Sequence, residues 1–171
     1  MVYVYLFATL QEDPVSRFSL VTVVSVILLA LGLPAFAAAP LNASATVTDP
    51  QGWLEDSDRT AIETAASDAA ARGKSIHFVF VSDLSGANAD QWCQQTATRS
   101  SLNSGEILYV IAYSQRVDVT CANGGQSASL DAARRAAEKK LSSNPLTSQD
   151  AAQAATAFAN TVVSGTRTSA P

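Results

Sequence analysis

The stretch Lys74–Val81, Lys-Ser-Ile-His-Phe-Val-Phe-Val, constrains the fold more than any other part of this chain. In an extended strand its apolar side chains fall on both faces, with the phenylalanines on one face and two valines on the other. A strand that is apolar on both faces must be covered on both, which is typical of an interior strand with helices on each side of the sheet. We therefore predict an α/β domain built around this strand.

Other segments supply the helices and strands that such a sheet needs. A second stretch that is apolar on both faces, 107–113, predicts another interior strand, parallel to the first. Residues 116–121 alternate polar and apolar side chains, which predicts a half-exposed antiparallel neighbour. Leu41–Thr48 is interpreted as a linker or a short first strand, with Ala45–Val47 as its extended residues. Helical spacing of apolar residues predicts helices over 55–72, 89–102, 130–141 and 150–163. The predicted fold class is α/β, a single small domain with a mixed, mostly parallel sheet and helices packed on both faces.

An apolar segment precedes this domain. Phe18–Phe36 is almost continuously apolar and leads into an Ala-Phe-Ala triplet, the small-x-small pattern of a cleaved secretory signal. Pro34 breaks a helix just before the triplet, which favours presentation to a signal peptidase. The competing interpretation is an uncleaved membrane anchor, because ~19 residues are enough to span a bilayer. Residues 1–39 are therefore assigned to a signal peptide or an N-terminal anchor, and the domain is expected to be secreted or extracytoplasmic.

The first fourteen residues do not fit a secretory signal. They are acidic at Glu12 and Asp13, whereas the start of a signal is positively charged. A start codon at Val15, read as methionine, would place Arg17 just before the apolar segment. We therefore interpret residues 1–14 as a start-site artefact, which translated peptides from before Val15 would contradict.

Size, charge and cysteine content bound the function. Of 171 residues, about 132 remain from Pro40 onward, enough for one domain and too few for two. We place that domain at 40–164 and a disordered tail at 165–171. The formal charge of −4 and the scattered basic residues argue against nucleic acid as a partner. In an exported protein, Cys93 and Cys121 predict one disulfide, with two buried free thiols as the alternative.

Few residues suit catalysis. The one histidine, His77, lies inside a predicted strand. A lone histidine in a strand is usually structural, so we expect neither a metal site built on histidine nor a serine–histidine–acid triad. The exception would be a His77 side chain that opens onto a pocket. The cysteines lack zinc-ligand spacing, and a thiol nucleophile would have only His77 as its base. The pair Gly124-Gly125 predicts a turn and not a phosphate loop. A basic stretch is interpreted as a solvated helix face, with contact to anionic envelope polymers as the alternative: Arg134, Arg135, Lys139 and Lys140.

Aspartates near the ends of elements are the remaining chemical resource. Asp83 follows the central strand, and ligands bind at the carboxyl ends of the strands in open α/β sheets. Asp49, before the first helix, and Asp131, at the start of the third, are candidates for the same edge. Because carboxylates are ligands that calcium requires, the three aspartates are candidate calcium ligands. The alternative is that Asp49 orders a turn and Asp131 caps a helix.

The order of these segments resembles the TPM-domain family. The resemblance covers the whole mature chain, and its most recognisable parts are Val47-Thr48-Asp49-Pro50-Gln51-Gly52-Trp53-Leu54, the strand Ile76–Val81, the helix that opens Ala89-Asp90-Gln91-Trp92, and Gly124-Gly125 followed by Asp131.

Members of this family are exported or membrane-tethered α/β sandwiches. They include a thylakoid-lumen protein linked to photosystem repair that has acid phosphatase activity, and some bind calcium. The resemblance implies that Asp49, Asp83 and Asp131 lie near an acidic edge of the sheet. However, the family's Trp-Gly-x-Gly-like segment and acidic loop are replaced by the short, nearly uncharged Ser100–Glu106. The cysteine pair is also outside the family pattern, so metal binding and phosphatase activity are in doubt for this chain.

Two functions follow. The first is a non-catalytic binding or accessory domain of the bacterial cell envelope, because a base, a nucleophile and the acidic loop are missing. Its partner would be an envelope protein or an anionic polymer, and it would meet the membrane only through an uncleaved N-terminal segment. The second is a weak calcium-assisted acid phosphatase, with Asp49, Asp83 and Asp131 as ligands. Convergence of the three carboxylates would favour the second.

Overall fold

A computed structural model describes residues 39–84, 86–122 and 128–165 of the chain. Its centre is a sheet of four strands in the order β1-β2-β3-β4. The strands are β1 (Val47–Thr48), β2 (Ile76–Val81), β3 (Ile107–Ala112) and β4 (Val117–Ala122). The interior strands are β2 and β3, the two that are apolar on both faces.

The strand directions agree with the predicted mixed sheet. β1 runs parallel to β2, and β2 runs parallel to β3 with Ile76 opposite Ile107. β4 runs antiparallel to β3, so Val117 lies opposite Ala112 and Ala122 lies opposite Ile107. The carboxyl ends of β1, β2 and β3 therefore share one edge with the start of β4. The predicted fold class is confirmed.

In the part of the chain that the structure describes, four helices pack around the sheet, near the predicted positions. They are α1 (Asp56–Ala70), α2 (Ala89–Arg99), α3 (Ala128–Glu138) and α4 (Ser148–Gly165). Gly73 follows the last turn of α1 with a φ of +75°, a backbone conformation that favours glycine. Glu55 occupies the N-cap position without a side-chain hydrogen bond, and the acidic residues of the first turn complement the helix dipole instead.

The helices divide between the two faces of the sheet, as predicted. Phe78, Phe80 and Tyr109 face a core formed with α1, α3 and α4. Val79 and Val110 face a second core formed with α2. Ala133, Ala151, Ala154 and Ala155 are all fully buried, because a methyl side chain lets helices approach the sheet and one another closely.

The prediction that β4 is half-exposed is wrong. Its polar residues Asp118 and Thr120 are only 4% and 2% exposed. The register places both on the face of Tyr109 and Ile111, which α3 and α4 cover. Cys121 lies on the other face, against α2. β4 is therefore covered on both faces. Its alternation of polar and apolar residues distinguishes two buried faces, one with polar side chains and one with apolar side chains, and does not distinguish a solvent face from a core face.

The predicted signal or anchor at 1–39 lies, apart from its last residue, outside the described residues. So do the Gly124-Gly125 turn and, from residue 166 onward, the tail. Within the described ranges, no helix combines the length and the apolarity needed to cross a membrane.

Candidate functional site

The carboxyl ends of the three parallel strands bring an aspartate pair and an aromatic pair to one edge of the sheet. Asp49 follows β1, Asp83 follows β2 and Tyr113 follows β3. Trp53, at the end of the turn after β1, joins them through its contact with Tyr113. We call these four residues the acidic edge. It lies where open α/β sheets bind ligands.

Asp49 is held in place by the turn that it orders. Its side chain is fully buried, and Oδ2 accepts hydrogen bonds from the backbone N–H of Leu54 at 2.9 Å and from Arg59 Nη2 at 3.3 Å. The turn closes through Gly52, whose N–H donates to the Asp49 carbonyl at 3.2 Å. Gly52 has a φ of +63°, which a residue with a side chain adopts with strain. The alternative predicted for Asp49 was that it orders a turn. That role explains the hydrogen bonds of Oδ2 and leaves Oδ1 unexplained.

The other oxygen of Asp49 has no such partner. Oδ1 is buried and makes no hydrogen bond within the described part of the chain. A buried carboxylate oxygen without a partner costs free energy, on the order of 1–3 kcal/mol or more for a charged group. This oxygen therefore has the chemistry to attract a cation or a hydrogen-bond donor.

Trp53 and Tyr113 form a flat aromatic platform beside the two aspartates. Their ring centroids are 4.2 Å apart and their planes are inclined by 8°. Both are half-buried, and the N–H of Tyr113 donates to the Val81 carbonyl at 2.9 Å, which fixes the platform to the sheet. Burial, followed by the negative charges of Asp49 and Asp83, raises the pKa of Tyr113. The platform is therefore neutral and lies in the field of two carboxylates.

Asp83 lies in a loop that is tied to the neighbouring turn. Ser82 Oγ donates to Asp83 Oδ2 at 3.3 Å, and the N–H of Leu84 donates to Gln115 Oε1 at 3.0 Å. Asp83 is half-buried, so its carboxylate is more accessible than that of Asp49. It is the edge carboxylate better suited to meet a ligand from solution.

The third candidate ligand, Asp131, lies at the opposite end of the domain. It is exposed on the first turn of α3. That turn adjoins the end of α4, because a Cβ added to Gly165 would lie 3.2 Å from Ser129 Cβ. The start of α4 is at the acidic edge, where the Glu55 N–H donates to Ser148 Oγ at 2.9 Å. The 18 residues of α4 span about 27 Å, and this length separates Asp131 from Asp49 and Asp83.

The residues present therefore do not assemble the three-aspartate calcium site. Across the described ranges, no group of three or more histidine, cysteine, aspartate or glutamate side chains is arranged to hold a metal ion. Asp49 and Asp83 remain together at the edge, whereas the position of Asp131 agrees with the helix-start alternative.

The histidine and the cysteines lie away from the acidic edge. His77 is near the amino end of β2, where Nδ1 lies 3.2 Å from the Ala45 carbonyl and Nε2 lies 3.8 Å from Glu106 Oε1. Cys93 of α2 and Cys121 of β4 are bonded to each other at 2.15 Å, in support of the predicted disulfide. Neither sulfur is then a thiol, so no imidazole or thiol serves the edge as base or nucleophile.

The basic stretch begins in α3 and continues into the turn after Glu138. Arg135, Lys139 and Lys140 are exposed as predicted. Arg134 also forms an ion pair, because its Nε lies 3.6 Å from Asp118 Oδ2 and 3.2 Å from Glu138 Oε1. Its side chain is still 43% exposed, so Arg134 combines a solvated position with a contact to the buried Asp118.

The aromatic platform is the part of the site that sequence reasoning missed. The sequence assigned Trp53 only to the segment that resembles the family, and Tyr113 only to the end of a strand. The available signal was their placement, since each follows a parallel strand at the edge where ligands bind.

Comparisons with known proteins agree with the sequence resemblance. The model of the TPM domain matches residues 47–164. UPF0603 protein Rv2345 and UPF0603 protein MT2410, from two strains of Mycobacterium tuberculosis, are each 39% identical over 90 residues, or 52% of this chain. That match covers 14% of the length of each relative, so this chain corresponds to a small part of those proteins.

Solved structures show the same fold. The N-terminal domain of the cg2496 protein from Corynebacterium glutamicum has a TM-score of 0.61 and 30% identity, and the match covers 82% of this chain and 88% of that one. The N-terminal domain of a protein from P. gingivalis has a TM-score of 0.58 and 15% identity, with 71% and 82% covered. The second supports the fold alone.

Proposed function

Because the chain belongs to the TPM-domain family, we propose that it is an exported accessory domain of the bacterial cell envelope that binds a partner at the acidic edge without catalysing a reaction. The observation that carries this proposal is the stacked pair of Trp53 and Tyr113 beside Asp49 and Asp83. Tryptophan and tyrosine dominate the energetics of protein interfaces, because they offer large rigid surfaces at small entropic cost.

The chemistry of the edge selects the partner. Because Asp49 already pairs with Arg59, the edge keeps the negative charge of Asp83 beside a half-buried aromatic platform. This combination favours cationic side chains, which gain from both cation–π and ion-pair contacts. We therefore propose a basic segment of an envelope protein. The negative charge of the edge would repel an anionic polymer. Such a polymer would instead contact the exposed basic residues Arg135, Lys139 and Lys140.

Export is supported by the disulfide. The bond between Cys93 and Cys121 is typical of a protein that folds outside the reducing cytosol. We propose that residues 1–39 direct this export, and the intact mass of the protein recovered from cells tests the proposal. A mass matching a chain that begins after Ala37 or Ala39 would establish cleavage. A retained segment in the membrane fraction would instead establish an anchor.

Binding is tested with a fluorescein-labelled oligolysine peptide, an oligoglutamate peptide of the same length and dextran sulfate. Anisotropy should show saturable binding of the lysine peptide that weakens as salt rises. Tyr113→Ala should weaken it by about 30-fold, as at an interface hot spot, and Asp83→Asn by several-fold. Asp68→Asn, an exposed carboxylate on α1, is the control of equal charge change and should have no effect. Binding of dextran sulfate alone would assign the domain to polymers and overturn this choice of partner.

A calcium-assisted acid phosphatase is the second candidate, favoured by the unpartnered Oδ1 of Asp49. Asp49 and Asp83 would hold the ion with backbone carbonyls and water, and the ion would supply Lewis-acid activation of a phosphate ester. Calcium titration followed by thermal melting separates the two candidates. A saturable rise in melting temperature that Asp83→Ala abolishes would favour the phosphatase, whereas no rise up to millimolar calcium would remove it.

A further inference from the structure

A polar cavity lies at the start of β4, at the same edge of the sheet as the carboxyl end of β3. Its volume is about 240 Å³, smaller than the pockets that hold drug-sized ligands. It is lined by Arg116, Val117, Asp118, Arg134, Glu138 and Leu141. Two of these side chains are cationic and two are anionic, so a ligand of matching chemistry carries both charges.

Two buried polar atoms at this cavity lack hydrogen bonds. Asp118 Oδ2 belongs to a residue that is 4% exposed, and neither it nor Arg134 Nε makes a hydrogen bond within the described ranges. The two atoms lie 3.6 Å apart, beyond hydrogen-bond distance, and the 3.2 Å contact of Arg134 Nε with Glu138 does not have hydrogen-bond geometry. Buried polar groups are satisfied in nearly all native proteins. The two atoms therefore form an ion pair without a direct hydrogen bond, and Asp118 also interacts with the Tyr109 hydroxyl, so a ligand that donates to Asp118 and accepts from Arg134 would complete their hydrogen bonding.

The protein holds this acceptor and donor firmly. Asp118 is fixed in β4 opposite Ile111, and Arg134 projects from the middle of α3, which packs against β4. Both elements are regular, so neither group depends on a loop for its position. Arg116 has a φ of +55° in the turn before β4 and is exposed at the mouth of the cavity. A ligand thus meets the buried Asp118 paired with Arg134, whose side chain is 43% exposed, and the exposed cation of Arg116 at the entrance.

We propose that this cavity binds a small zwitterion, an α-amino acid or a group of the same chemistry. Its ammonium group donates to Asp118 Oδ2 and meets the charge of Glu138. Its carboxylate accepts from Arg134 and Arg116. Water alone would satisfy the same two atoms without any preference for charge, and this difference makes the proposal testable.

Alanine is the probe, and amide chemical shifts in ¹H–¹⁵N spectra of the protein are the readout. Saturable shifts confined to the cavity residues are expected at millimolar alanine. N-acetylalanine lacks the ammonium group and alaninamide lacks the carboxylate, so each should bind at least about tenfold more weakly. This comparison needs no variant. Equal shifts with all three compounds, or no saturable shift up to about 50 mM alanine, would mean that the cavity holds water only and would overturn the proposal.

Variants then assign the two ends of the ligand. Asp118→Asn and Arg134→Gln should each weaken alanine binding by at least about tenfold. Asp118→Asn removes the partner of the ammonium group, so this variant should no longer prefer alanine over N-acetylalanine. Arg134→Gln removes a partner of the carboxylate, so this variant should no longer prefer alanine over alaninamide. Arg135→Gln, one residue along the same helix and exposed, removes the same charge and should leave binding unchanged. If Arg135→Gln weakens binding as much as Arg134→Gln, the cavity is not the site and the proposal fails.

Discussion

Tyr109 of β3 stacks on Phe158 of α4, with ring centroids 4.3 Å apart and planes inclined by 9°. Phe78 of the neighbouring strand meets the edge of Tyr109 at 6.1 Å. All three side chains are fully buried. The aromatic group therefore attaches the last helix of the chain to the two interior strands, and α4 in turn contacts α1 at the acidic edge through Ser148.

Phe158→Ala should lower the free energy of unfolding by about 3–5 kcal/mol, because it removes a fully buried ring and leaves a cavity against Tyr109. Urea denaturation of the purified protein measures this loss. Gln153→Ala, an exposed change on the same helix, should stay within about 0.5 kcal/mol of the natural protein. A loss below about 1 kcal/mol for Phe158→Ala would show that α4 is not docked by this ring.

Joining Cys93 to Cys121 should stabilise the domain by about 3.6 kcal/mol in the chain-entropy model, since the bond closes a loop with a sequence separation of 28. The double variant Cys93→Ala/Cys121→Ala should lose most of this stability in urea denaturation. Dithiothreitol should lower the urea midpoint of the natural protein and leave that of the double variant unchanged. An equal response of both proteins to the reductant would show that the two cysteines are not bonded in solution.

Sequence alone predicted the parts of the fold that local pattern decides. Ile76–Val81 was placed without error because a strand that is apolar on both faces has no other stable position than the interior of a sheet. The burial of Asp118 was not predicted, because polar alternation normally indicates a solvated face. Its cover comes from α3 and α4, which are brought there by tertiary packing that no local pattern records.

The candidate site was predicted in part, and the distance of Asp131 from the other two aspartates has a topological cause. Asp49 and Asp83 both follow parallel strands and share an edge. Asp131 follows the antiparallel β4, whose direction returns the chain to the opposite edge before α3 begins. The antiparallel direction of that strand was itself predicted, so the sequence contained the information that separates Asp131 from the other two aspartates.

The stability of the natural protein relative to Asp118→Asn should fall as pH rises. Burial raises the pKa of Asp118, and Arg134 opposes that rise only in part. The folded state therefore binds the Asp118 proton more tightly than the unfolded state does. The free energy of unfolding consequently falls as pH rises from the pKa of Asp118 in the unfolded state, near 3.8, through its higher pKa in the folded state. Urea denaturation of both proteins between pH 3 and 7 measures this difference.

An NMR titration of the Asp118 carboxyl carbon checks the cause directly. Its pKa should lie above 3.8 in the natural protein and rise further in Arg134→Gln, since the guanidinium favours the charged form. In Arg135→Gln the pKa should stay in place. A lower pKa in Arg134→Gln would contradict the assigned role of the ion pair.

Asp150 should show the opposite pH dependence. Its carboxylate accepts from the Thr147 hydroxyl at 2.7 Å and the Thr147 N–H at 3.1 Å, while Thr147 Oγ1 accepts from the Asp150 N–H at 3.1 Å. These hydrogen bonds, led by the hydroxyl, lower the pKa of Asp150. The group therefore stabilises the fold above its unfolded pKa, and this contribution is lost as pH falls through the lower folded pKa.

Asp150→Asn should consequently cost more stability at pH 7 than at pH 2, and Thr147→Ala should cost about 1 kcal/mol at neutral pH because α4 loses its N-cap. Urea denaturation at the two pH values measures both changes. Asp68→Asn, exposed in the middle of α1, is the matched control and should stay within about 0.5 kcal/mol at either pH. Equal losses for Asp150→Asn at pH 7 and pH 2 would show that its charge takes no part in holding the start of α4, since a purely steric role would not change with protonation.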